Sequence, residues 1–130
     1  MKIAVSVDVP SIEEGLAFFG DTFCFRTVAE PYTGLALIEA DGQRLLLTAR
    51  AEGSTPHPDA TAGRTYRRHW TPVHLDFHVA DVAATRDRAL AAGARLEAWH
   101  EPPGRPPVAF MSDPFGHGFC LIGDPAQAAT

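Results

Sequence analysis

Val73-His74-Leu75-Asp76-Phe77-His78-Val79 alternates apolar and polar side chains one by one, the period of a half-buried β-strand. Side chains at every second position of a strand share a face. Val73, Leu75, Phe77 and Val79 therefore form an apolar face, and His74, Asp76 and His78 a face of titratable groups. Asp81 then opens a helix. Seventy positions earlier the pattern has a first copy: Ile3, Val5, Val7 and Val9 stand for the four apolar residues, Ser11 for Asp81 and Ile12 for Val82. Ala4, Ser6 and Asp8 stand for His74, Asp76 and His78. The chain reads as one unit used twice, with its polar face strengthened in the second copy.

The rest of each copy follows from local signals. Residues 2–9 form the first strand. Ser11 with Glu14 three positions on is a capping box, and Ile12, Leu16, Phe19 and Phe23 recur at helical spacing, which predicts a helix over 12–22. A short strand over 25–29 is closed by Glu30-Pro31. Strands over 34–39 and 44–49 flank Asp41-Gly42, a strong hairpin signal. The second copy runs strand 73–79, a helix over 82–92 stopped by Gly93, strand 95–100, and strands 107–112 and 118–122 around the turn Asp113-Pro114-Phe115-Gly116. By alternation Arg95 and Trp99 share a face. The expected organisation is α+β: module 1–49, linker or lid 50–72, module 73–123 and a tail 124–130, together one compact domain.

The 130 residues are enough for a real core. A net charge of −5 argues against a nucleic-acid or anionic-membrane partner. No apolar run reaches the roughly 18 residues of a membrane span, and Asp8 falls too early for a signal-peptide core. Cys24 and Cys120 are too few for a disulfide framework, so a cytoplasmic location is expected. Free cysteines usually behave as small buried hydrophobes, and both are read so here.

Two βαβββ units, a His opening the second, and the closing run Asp113-Pro-Phe-Gly-His-Gly-Phe-Cys-Leu-Ile122 resemble the vicinal oxygen chelate superfamily, in its glyoxalase-like branch. That group includes glyoxalase I, extradiol dioxygenases and bleomycin-resistance proteins. The resemblance covers residues 2–123. It implies that the modules form curved mixed sheets, that two such sheets, within one chain or exchanged between two, enclose a cup-shaped cavity, and that the chain pairs as a homodimer. It also implies that a metal enzyme would take ligands from the first and last strands of each copy. Those positions are Ala4, His74, Leu46 and Cys120 here, and Ala4 and Leu46 have no donor atom. Catalytic zinc needs about three protein ligands. His74 and Cys120 fall short, and Asp76 lies roughly 6.5–7 Å along the strand from His74 at a strand's rise per residue. The expectation is a protein without metal or other cofactor, any metal falling to His74 and Cys120, with Asp76 as a third ligand.

The functional reading is a cup that binds a small organic molecule, an antibiotic to be sequestered or a metabolite, through Ser6, Asp8, Leu46, Trp70, His74, Asp76, His78 and Cys120. Asp8 would need a partner such as Arg44 if buried. The alternative is an enzyme: an isomerase, epimerase or lyase acting on a carbonyl compound, with His74 or His78 as acid/base oriented by Asp76, or a divergent metal-dependent lyase or dioxygenase. A third reading is a dimerising scaffold whose cup its own side chains fill. Arg64, Arg67 and Arg68, with Tyr66, His69 and Trp70, have the chemistry of a lid over an anionic or aromatic ligand; the plainer reading is a solvated linker with Trp70 packed on a sheet edge. His117 reads as a solvated turn residue.

Overall fold

A computed structural model describes residues 1–124; beyond Asp124 the expected tail lies outside the described residues. The chain divides into two compact units, Met1–Tyr66 and from Arg67 onward. The first holds β1 (Ser6–Val9), α1 (Ile12–Phe23), β2 (Arg26–Tyr32), β3 (Leu35–Ala40) and β4 (Gln43–Ala49). The second holds β5 (Leu75–Val79), α2 (Val82–Ala91), β6 (Arg95–His100), β7 (Val108–Ser112) and β8 (Gly118–Gly123). Each unit builds one open four-stranded sheet, ordered β1-β4-β3-β2 and β5-β8-β7-β6. β1 and β5 pair in parallel with β4 and β8, and the other pairings are antiparallel. This is the α+β arrangement of two βαβββ modules that the repeat predicts. The copies correspond rung for rung: Ser6 pairs with Leu46, and Asp76 with Cys120.

In α1, the Ser11 Oγ accepts from the Glu14 N–H at 3.1 Å, the N-cap bond of the expected capping box, and donates to the Glu14 carboxylate at 2.8 Å. The face the helix buries is Gly15, Phe18, Phe19 and Thr22. This is turned from the expected Ile12–Leu16–Phe19–Phe23 stripe because Gly15 lets the helix backbone come down on the sheet. A Cβ there would sit 2.9 Å from Val9 Cγ1 and 3.1 Å from Leu47 Cδ1. Cys24 ends the helix with φ 64° and is exposed, so it is a left-handed cap and not the packed hydrophobe expected. Asp41 and Gly42 take φ 50° and 74°, the double positive φ of a type I′ hairpin. In the second unit Asp81 caps α2 by accepting from the Ala84 N–H at 2.9 Å.

Four local expectations are corrected. The ladder of β1 begins at Ser6, and that of β5 at Leu75; the equivalent residues Ile3 and Val73 are 82% and 78% exposed. β2 runs through Glu30-Pro31 to Tyr32 with two register shifts. It is an edge strand, where a proline's missing N–H leaves no ladder bond unmade. Asp8 pairs with Arg64, Nε to Oδ2 at 2.7 Å, and Arg44 pairs with Glu39 instead. Finally, a bulge between Leu96 and Ala98 shifts the pairing of β6 against β7. Arg95 faces Ser112 and Trp99 faces Ala109, on opposite sides of the sheet.

No helix among the described residues is long and apolar enough to cross a membrane.

Candidate functional site

The second sheet has two unlike faces. Leu121, Met111 and Ala109, all fully buried or nearly so, face α2. The alternate positions make the other face: Asp76, Cys120, Phe110 and Ala98 follow one another across four strands on one rung. His74 stands just before β5 on the same face. Core and site residues thus alternate one by one along β5, β7 and β8, and only the bulge in β6 breaks the alternation.

His74, Asp76 and Cys120 come together. The His74 Nδ1 lies 3.1 Å from an Asp76 carboxylate oxygen, and one donor atom from each of the three residues falls within 4.8 Å of the others. Strand rise separates the His74 and Asp76 backbones as expected, but both side chains lean together on the shared face, so that spacing does not keep the donor atoms apart. Cys120 is buried. Burial, then the Asp76 charge and its hydrogen bond with the thiol, push the thiol up to about 11. It is a protonated donor to Asp76 at neutral pH and not a ready nucleophile.

An imidazole nitrogen, a carboxylate oxygen and a sulfur are all zinc ligands, and three protein ligands with an open fourth position is a catalytic arrangement. The donor set therefore fits a divalent metal in type and number, and would hold it through His74, Asp76 and Cys120. Such an ion would supply a Lewis acid to a bound oxygen.

Beside these residues lies a cleft of about 200 Å³, lined among others by Arg68, Trp70, His74, Phe110 and Cys120, over Gly118. Trp70 is 80% exposed and Phe110 is also exposed. Arg68 belongs to the segment before β5. Its Nε donates to Glu97 Oε2 at 2.7 Å and its Nη2 to Glu97 Oε1 at 3.1 Å, and Nη1 donates to the His69 carbonyl. The hydrogen bond from Arg68 lowers the Glu97 carboxyl below its ordinary range, and the same bond raises Arg68. The guanidinium lies over Gly118, where a Cβ would sit 2.7 Å from Nη2 and 3.2 Å from Nη1. Glu97 reaches this face because it is the extra residue of the β6 bulge, and bulges re-aim side chains in this way.

Of the residues expected at the site, Trp70, His74 and Cys120 line the cleft and Asp76 adjoins them. His78 is exposed on the same face opposite Ile122, but it is not among the lining residues. Ser6, Asp8 and Leu46 lie on the corresponding face of the first sheet, with Asp8 held by Arg64. His117 is fixed in its turn: its Nδ1 lies 2.8 Å from the buried Asp113, whose other oxygen accepts from the Phe115 and His117 N–H groups. Glu97 and Gly118 escaped the sequence reading. The bulge has no sequence signal of its own, whereas a glycine within a strand is a known mark of close approach.

The profile of the glyoxalase-like domain matches residues 4–122. No curated protein matches the chain. Among solved structures, lactoylglutathione lyase from Agrobacterium tumefaciens is similar at 18% identity, with 98% of this chain and 96% of that one covered and a TM-score of 0.63. A glyoxalase-related enzyme from Fulvimarina pelagi is similar at 20% identity, with 96% and 90% covered and a TM-score of 0.67. The fosfomycin resistance protein FosX from Listeria monocytogenes, complexed with Mn(II) and sulfate, is similar at 14% identity, with 98% and 93% covered and a TM-score of 0.70. At these identities the structures speak for the fold alone, a fold shared with glyoxalase and FosX structures; the match over 4–122 makes this chain a member of the glyoxalase-like domain family.

Proposed function

We propose that the cleft of the second unit binds a small organic molecule and does so without a resident metal ion. One observation carries this reading: two exposed aromatic rings, Trp70 and Phe110, border a concave space that also holds a few placed polar groups, Arg68, His74 and Cys120. Small-molecule sites are built in this way. The volume of about 200 Å³ favours a small ligand. The His74–Asp76–Cys120 group supports the metal-free half of the reading. Asp76 accepts from the thiol and lies against the imidazole, so the group is satisfied without a cation. At the equivalent positions the first copy offers only Ala4 and Leu46. The net charge of −5 supports a small molecule over a nucleic acid.

The convergence of three donors within 4.8 Å favours a second reading, a divergent metal-dependent enzyme with His74, Asp76 and Cys120 as ligands. Metal analysis of the purified protein, with Zn²⁺, Fe²⁺, Ni²⁺ and Mn²⁺ titrations followed by thermal shift, separates the two. The expected result is no stoichiometric metal and no shift, followed by a metabolite and antibiotic screen in which a hit raises Tm and loses its effect in Trp70→Ala. Stoichiometric metal that is lost in His74→Ala overturns the metal-free reading and establishes the second.

A further inference from the structure

Resting on the cleft reading above, we infer that the cleft selects a small organic anion with a flat apolar body, an aromatic monocarboxylate in its simplest form, and that Arg68 is the group that selects it. Arginine stays charged at every physiological pH and carries five N–H donors in one plane. Three of them are taken, two by Glu97 and one by the His69 carbonyl. One N–H remains on each Nη atom, and both Nη atoms lie over Gly118 at the floor of the cleft. A planar oxyanion is the ligand such a fork matches. None of the described residues that line the cleft carries a carboxylate; the nearest acids, Asp76 and Glu97, are engaged with His74 and Arg68. The exposed rings of Trp70 and Phe110 offer the flat apolar surface for the rest of the ligand.

Three features set the guanidinium in place. The bulge turns Glu97 onto the open face. The two-point ion pair with Glu97 fixes the guanidinium plane. Gly118 leaves the space in which that plane lies, because any Cβ would stand within 2.7 Å of Nη2. Glu97 orients Arg68 but also offsets its charge. The anion is then held by directed hydrogen bonds more than by net charge, and the two roles of Glu97 can be separated by experiment.

The test uses the full chain and reads Trp fluorescence and calorimetry with benzoate, phenylacetate and cinnamate, each beside its neutral amide, and with acetate as an anion lacking a ring. The carboxylates are expected to bind at least about tenfold more tightly than their amides and than acetate, the worth of a charge-assisted hydrogen bond. Arg68→Ala weakens them about 10- to 100-fold. Gly118→Ala, which moves the flexible guanidinium tip and leaves all charges in place, weakens them as well. Glu97→Gln keeps one acceptor but gives up the oxygen that Nη2 binds, so the guanidinium plane loses one of its two anchors and carboxylate binding weakens about threefold; tighter binding in this variant overturns the orienting role of Glu97. Equal binding of acid and amide, or carboxylate binding unchanged in Arg68→Ala, overturns anion selection. A panel in which no carboxylate binds also overturns it. In each of these cases a Trp70-dependent neutral or cationic hit leaves the cleft reading standing, and the absence of any such hit takes that reading down as well.

Discussion

Cys120 shows how a residue's chemistry is set by what surrounds it. Its side chain stands on the same rung as Asp76, in a buried position. Both burial and the neighbouring carboxylate disfavour a thiolate, and they hold the thiol near 11 against an ordinary 9.0. Cys24, exposed at the end of α1, has no such shelter. A thiol titration with a disulfide reagent near neutral pH is expected to count one fast thiol in the native protein, with Cys120 reacting only on unfolding. The linkage has a definite sign. The folded state holds the Cys120 proton more tightly than the unfolded state does, so its contribution to stability is complete below pH 9.0 and is lost as pH rises toward about 11. Denaturation midpoints across that range should fall more steeply for the wild type than for Cys120→Ala. Parallel curves would remove Asp76 and burial as the cause.

At the scale of elements, two backbone irregularities place the side chains that matter, and neither belongs to the alternating pattern. The β6 bulge sends Glu97 to the open face and returns Trp99 to the helix face. There Arg86 of α2 lies 4.5 Å above the Trp99 ring. In the first unit the close approach of α1 at Gly15 sets which helix face is buried. Alanine is the better helix former by roughly 1 kcal/mol. Gly15→Ala is nevertheless expected to destabilise the protein by about 1–3 kcal/mol, because the added methyl overpacks against Val9 and Leu47. Chemical denaturation checks the sign, and a stabilised variant would mean that the helix backs away from the sheet at little cost.

The whole molecule repeats its core as it repeats its topology. Leu47 lies across from Val7, and Leu121 across from Phe77, and both leucines are fully buried. These are corresponding rungs of the two copies. Truncating either leucine to Ala should cost about 2–5 kcal/mol. Amide hydrogen exchange should quicken most within the unit that holds the substitution, Met1–Tyr66 for Leu47→Ala and the residues from Arg67 for Leu121→Ala. Uniform acceleration along the chain in both variants would show a single cooperative core. What differs between the copies is the open face. The first has Ser6 and Leu46 where the second has Asp76 and Cys120, so the convergent donor groups sit in the second.

Periodicity, caps and turns determined the repeated βαβββ order, the hairpin at Asp41-Gly42 and the shared face of His74, Asp76 and His78, because these depend on neighbours in sequence and on the two-residue period of a strand. The family resemblance put His74 and Cys120 on the first and last strands of the second copy, and the rung that sets Asp76 beside Cys120 came from the structure. The convergence of His74, Asp76 and Cys120, the salt bridge of Asp8 to Arg64, and the seating of Arg68 between Glu97 and Gly118 belong to the tertiary structure alone. Side-chain lean, a one-residue bulge and the packing of an irregular segment on a sheet arise from contacts between residues distant in sequence, and no local pattern encodes them.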